Sequence, residues 1–114
     1  MISLLVDECY AFDYLSILEV KKDKNPQHEP AWEECRVFLK NQLPEDFDQV
    51  INSEEYKNLY DANLKTFDAV AKARSEEPIT AKEVDNCNML RYNCKVALQS
   101  KFFSNSSIRE VKLS

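Results

Sequence analysis

Glycine is absent from all 114 residues of this chain, where an average usage of about 7% would place roughly eight. Phosphate-cradling loops, dinucleotide fingerprints and type I′ or II′ hairpins each need a residue that tolerates positive φ or lets a ligand approach the backbone closely. None is supplied. Basic residues are in deficit as well, since 15 Lys and Arg stand against 20 Asp and Glu for a formal net charge of -5. Polyanion binding through counterion release needs clustered cations, so nucleic acid is not an expected partner. Long apolar runs are also missing, with only short ones such as that around Leu4 to Val6, and no basic segment followed by an apolar one opens the chain. Neither export nor membrane insertion is therefore expected, and the cytoplasm is the expected compartment.

The four cysteines, Cys9, Cys35, Cys87 and Cys94, include no Cys-x-x-Cys pair, and in a cytoplasmic chain they are expected as thiols. Cys87 and Cys94 lie about 10 Å apart along a helix, too far to bridge each other within it. A zinc site drawn from four separate positions is the alternative to buried small hydrophobes. The sequon Asn105-Ser106-Ser107 matters only in a secretory path. No cofactor is expected. What is present is 44% hydrophobic and 11% aromatic residues, enough to fill one core in a single domain spanning residues 1–114.

The segment Ile2 to Val6 and the tail Ile108 to Leu113 have the branched, half-alternating look of short strands, and as a terminal ribbon they would give Leu4, Val6, Val111 and Leu113 a place to bury. Asp7 is placed to cap a helix whose core, Cys9 to Val20, is apolar nearly all round apart from Asp13, Ser16 and Glu19. So narrow a polar stripe predicts the most buried helix. Lys21, Lys22 and Lys24 suit its negative end, Asn25-Pro26 stops it, and residues Asp23 to Glu29 read as a loop. Pro30 suits the first turn of a second, one-sided helix carrying Ala31, Trp32, Cys35, Phe38 and Leu39.

After Pro44 comes an acidic turn from which Phe47, Val50 and Ile51 dip into the core, and Asn52 or Ser53 caps a third helix, Asn52 with Glu55 having capping-box spacing. That helix runs from Glu54 to Ser75, with Tyr56, Leu59, Tyr60, Asn63, Phe67, Val70 and Ala71 on one face, and Glu76-Glu77-Pro78 ends it. Thr80 and Glu83 form the clearest capping box, opening a fourth helix that carries Val84, Cys87, Leu90, Arg91, Cys94, Ala97, Leu98 and Phe102. Without glycine, Asn105 is the residue expected to turn left-handed after it. The expected fold is all-α, a four-helix up-and-down bundle-like domain with a possible two-stranded ribbon of the termini.

Chemistry finds little purchase. His28, the one histidine, falls in a polar loop, and the paired Glu-x-x-His motifs of di-iron bundles are missing. An all-helical nucleotide pyrophosphohydrolase would hold magnesium with Glu-Glu-x-x-Glu, but Glu33-Glu34 runs on into Arg36-Val37, and Glu54-Glu55 and Glu76-Glu77 fall at helix ends. The informative residues are polar ones inside apolar stripes: Asn63 on the third helix and Arg91 on the fourth. An inward Arg91 needs a carboxylate, which Asp13 and Glu19, or Asp7 and Glu8, can supply. One reading is a buried ion pair that sets helix register. The other is a polar pocket in which Arg91, Asn63, Asp13, Glu19 and Tyr14, with Tyr10 or Tyr92 nearby, bind an anionic or amide-bearing ligand.

Charge also segregates. Glu45, Asp46, Asp48, Glu54, Glu55 and Asp61 gather around the second and third helices, while Lys21, Lys22, Lys24, Lys101, Arg109 and Lys112 gather elsewhere, giving a dipolar surface suited to a basic partner or to self-association.

The stretches Asp7-Glu8-Cys9-Tyr10-Ala11-Phe12-Asp13-Tyr14-Leu15-Ser16-Ile17-Leu18-Glu19-Val20-Lys21 and Glu83-Val84-Asp85-Asn86-Cys87-Asn88-Met89-Leu90-Arg91 resemble small proteins of marine phage-like genomes. The resemblance implies action in a host cytoplasm and carries over no catalytic residue. The expected function is that of a small acidic interaction or structural protein, self-associating or bound to a protein partner, without nucleic acid or membrane. The alternative is a small-molecule-binding protein or metal-dependent hydrolase built on Arg91 and the first helix's carboxylates.

Overall fold

A run that is apolar nearly all round must be covered from several sides, and α1 (Glu8–Lys24) is. The computed structural model describes residues 2–76, 78–104 and 109–113, with residues 2–5 and 109–113 described by their backbone. Around α1 pack α2 (Glu29–Gln42), α4 (Glu54–Arg74) and α5 (Ala81–Phe102), while the short α3 (Phe47–Ile51) bridges α2 and α4. The fold is all-α and bundle-like. Its termini form the ribbon, β1 (Ile2–Val6) lying antiparallel to β2 (Arg109–Leu113) with Ile2 opposite Leu113 and Val6 opposite Arg109. Val6 packs against the core; the side chains of Leu4, Val111 and Leu113 lie outside the described residues.

Phe12 is fully buried at the centre of the core. Its ring lies 6.1 Å from Phe47, 6.4 Å from Tyr56 and 6.1 Å from Phe103, centroid to centroid, so α1, α3, α4 and the end of α5 converge on one aromatic cluster. Asp13 and Ser16, from the narrow polar stripe of α1, are buried as well. They face Asn63 of α4 rather than water.

Helix ends are closed by side chains and proline. Asp7 occupies the N-cap position of α1, but its side chain makes no capping bond there. Gln99 of α5 does the work instead: Oε1 accepts from the Cys9 N–H at 2.9 Å, and Nε2 donates to the Glu8 carboxylate and the Phe103 carbonyl, both at 3.2 Å. A long-range contact thus meets an orphan donor of the first turn. At its other end α1 runs to Lys24, and the expected loop is a 3-10 turn, Pro26–His28, with Asn25 Oδ1 accepting from the Gln27 N–H at 3.0 Å. Lys22 then lies 4.0 Å over the Trp32 ring, so α2 folds back along α1.

The segment expected as an acidic turn is the five-residue α3, with Phe47 and Val50 buried. Ser53 caps α4, accepting from the Tyr56 N–H at 3.1 Å, while Asn52 bonds back to the Asp48 carbonyl at 2.8 Å, so no Asn52–Glu55 box forms. Thr80 caps α5 as expected, accepting from the Glu83 N–H at 3.1 Å. From there α5 runs antiparallel to α4, with Lys101 on Glu55 and Cys94 on the Asn58 carbonyl, and antiparallel to α1, with Gln99 on Glu8 and Arg91 on Asp13. Ala62 and Ala69 are buried on α4; small residues of this kind let neighbouring helices approach closely.

A left-handed residue does occur after a helix. Asn105 lies outside the described residues, and among those described the positive φ belongs to Glu76, at 61°. Its N–H bonds the Ala73 carbonyl at 3.3 Å, as the residue after a helix C-cap does. Most side chains are disfavoured in that region by about 1–2 kcal/mol. Glu76→Gly is therefore expected to stabilise the protein by about 0.5–1 kcal/mol, read as a higher urea midpoint with an unchanged slope; a lower midpoint would show that Glu76 contributes more than its backbone.

Candidate functional site

The buried Asp13 carboxylate is the polar centre of the molecule. Oδ1 accepts from Asn63 Nδ2 at 2.9 Å; Oδ2 lies 3.3 Å from Arg91 Nη2 and 4.0 Å from Lys95 Nζ. Asn63 Nδ2 also donates to Ser16 Oγ at 2.6 Å, and the Ser16 hydroxyl donates to the Asp13 carbonyl at 2.8 Å. The Asp13 side chain is 7% exposed and that of Arg91 25%. One face of α1 thus presents an acid and a hydroxyl, α4 an amide and α5 two cations, and the buried Asp13, Ser16 and Asn63 side chains find partners in one another as their desolvation requires. Arg91 uses Nη2 on Asp13, while its Nε is buried with no hydrogen-bond partner.

Arg91 and Asn63 also border a groove of about 600 Å³ between α1, α4 and α5. Ile17, Val20, Phe67 and Val70 form its apolar walls. The exposure of Phe67 and Val70 follows, because the second half of the apolar face of α4 is left uncovered. Lys21 and Arg74 complete the cationic lining with Arg91, and no carboxylate of the described residues lines the groove. Arg91 thus belongs both to the ion pair with Asp13 and to the lining of the groove.

The remaining site candidates lie elsewhere. Glu19 accepts from the Tyr56 hydroxyl at 3.0 Å, in a separate cleft of about 260 Å³ that also holds Trp32, Arg36 and Tyr60. Burial and the adjacent Glu19 push the Tyr56 hydroxyl well above its usual range. Tyr14 is half-buried on α1 and does not line the Arg91 groove. Tyr10 and Tyr92 line a different depression, with Cys9, Lys95 and Val96. None of the four cysteines is joined in a disulfide, and all four are partly buried. Desolvation, with Glu34 nearby, raises Cys35 from 9.0 to about 11, which lowers its thiolate fraction about a hundredfold below pH 9. Alkylation at pH 8, followed residue by residue by mass spectrometry, is expected to be slower at Cys35 than in the unfolded chain by that factor or more; equal rates would refute it. Since the raised value belongs to the folded state, the associated stability is complete below pH 9 and falls as pH rises from about 9 to about 11.

An outer apolar stripe was not singled out by the helix pattern. On α5, Met89, Tyr92 and Val96 follow each other at helical spacing, 58%, 59% and 45% exposed, and Tyr10 of α1 stands beside them, 46% exposed. The helix is thus apolar on two sides: Cys87, Arg91, Cys94 and Leu98 turn inward, Met89, Tyr92 and Val96 outward. The clue in the sequence was that α5 has more apolar residues than one stripe can hold.

The charge segregation is weaker than the sequence implied. Lys101 pairs with Glu55 at 2.9 Å and so lies within the acidic region, and Lys24 pairs with Asp68 at 3.0 Å. The side chains of Arg109 and Lys112 lie outside the described residues. No group of three or more His, Cys, Asp or Glu among the described residues is arranged to hold a metal ion, and no described helix is long and apolar enough to cross a membrane. Compared with known proteins, the chain matches no family model, no curated protein and no solved structure.

Proposed function

We propose that this is a small acidic interaction protein of the cytoplasm, non-enzymatic, that works by self-association through the outer face of α5. The observation that carries the reading is the exposed stripe of Met89, Tyr92 and Val96 with Tyr10 at its side. Scattered apolar residues on a surface are ordinary, whereas an aligned stripe rich in Tyr and Met has the composition of an interface centre. A single helix stripe is also self-complementary: two copies of α5 laid antiparallel about a two-fold axis near Tyr92 bring Met89 of each beside the Val96 region of the other. The polar groups at the edge, Asp7, Lys95 and Gln99, supply the wet rim such contacts have.

Sedimentation equilibrium of the full chain, from low to high micromolar protein, tests the reading. A dimer that dissociates on dilution is expected, with Tyr92→Asp monomeric throughout at unchanged helical circular dichroism. A wild-type chain that stays monomeric at the highest concentration would overturn it, as would a dimer indifferent to Tyr92→Asp.

A further inference from the structure

We infer that the groove between α1, α4 and α5 is a binding site for an amphipathic carboxylate, a molecule with an apolar body and one anionic head. Its volume of about 600 Å³ lies within the range of small-molecule sites, and its mostly apolar lining with a few charged groups is their usual composition. Charge selects the ligand's sign. In a protein of net charge -5, the groove is lined by Lys21, Arg74 and Arg91 and, among the described residues, by no acid. Asp13 offsets Arg91, but Lys21 and Arg74 have no ion pair with any described residue. Arg91 borders the groove while its Nη2 is held on Asp13, so Lys21 and Arg74 are the cations left to meet an anionic head.

The walls select the ligand's body. Ile17, Val20, Phe67 and Val70 offer hydrocarbon and one ring, and burying an alkyl chain there covers surface that the chain itself leaves to water. A nucleotide or sugar phosphate is a poorer fit, since its polar body finds few partners on these walls and a glycine-free chain offers no backbone cradle for phosphate. The inference is independent of self-association, because Tyr10, Met89, Tyr92 and Val96 do not line this groove.

Isothermal titration calorimetry of the full chain with decanoate, and with decylammonium as the control of equal chain and opposite charge, tests it. Decanoate is expected to bind saturably at one per chain, and decylammonium at least about tenfold more weakly. Lys21→Gln with Arg74→Gln is expected to lower decanoate affinity at least about tenfold without changing the circular dichroism, since both side chains are exposed. Val70→Glu should abolish binding by placing a like charge in the wall, while Tyr92→Asp should leave it unchanged. The proposal falls if decanoate does not saturate, if the two amphiphiles bind alike, if the double variant binds as wild type does, or if Tyr92→Asp removes binding and so moves the site to the outer stripe.

Discussion

Phe12→Ala is expected to cost about 4 kcal/mol of folding stability, a large part of the roughly 10 kcal/mol available to a domain of this size. The ring is fully buried and meets Phe47, Tyr56 and Phe103, which belong to three different segments of the chain. Truncation removes the transfer energy of the ring and leaves a cavity that no single helix can close by shifting, because rigid neighbours hold it open on several sides. Urea unfolding followed by circular dichroism should show a much lower midpoint. Phe67→Ala supplies the contrast: its ring walls an open groove, so little packing is lost and a change below about 1 kcal/mol is expected. Equal costs at the two positions would show that the aromatic cluster is not the centre of the core.

Asn63→Leu should be the next most damaging change, at about 2–3 kcal/mol. The substituted side chain keeps much of the volume but withdraws the amide that donates to both Asp13 Oδ1 and Ser16 Oγ. Asp13, 7% exposed, would keep its contacts with Arg91 and Lys95 but lose its shortest donor in a place water reaches poorly. The cost belongs to the stranded carboxylate rather than to the amide, so Asn63→Leu combined with Asp13→Leu should cost less than the sum of the two single changes, by about 1 kcal/mol or more. A strictly additive cycle would mean that the two side chains do not act as one network.

Much of the helical outline was legible from local chemistry. Thr80 before Glu83, Pro30 in a first turn, Asn25-Pro26 at an end and Glu76-Glu77-Pro78 at another all act within a few residues of themselves, and each marks a boundary that the structure keeps to within a turn. Asn63 and Arg91 stood out because a polar side chain inside an apolar stripe must find a partner, and Asp13 was among the partners named for Arg91. Glu19 was named on the same grounds and went to Tyr56 instead, since residues on one stripe of α1 diverge once different helices cover its two ends. The cap supplied by Gln99 was invisible for the same reason: it comes from a residue about 90 positions away. The outer stripe of α5 was missed because a helix apolar on two sides carries no one-sided pattern to read.

By itself, then, the order of residues determined where the four long helices start and stop to within a turn and which helix would be buried, because capping, proline geometry and apolar periodicity are properties of neighbours in the chain. The lack of glycine belongs here too, although the left-handed turn it made costly fell to Glu76. Tertiary structure alone decided which apolar faces stayed open. Whether Phe67 and Val70 wall a groove, or Tyr92 faces outward, depends on how α4 and α5 rotate about their axes against α1, and that rotation is set by the summed packing and charge pairing of distant residues such as Asp13, Asn63 and Arg91.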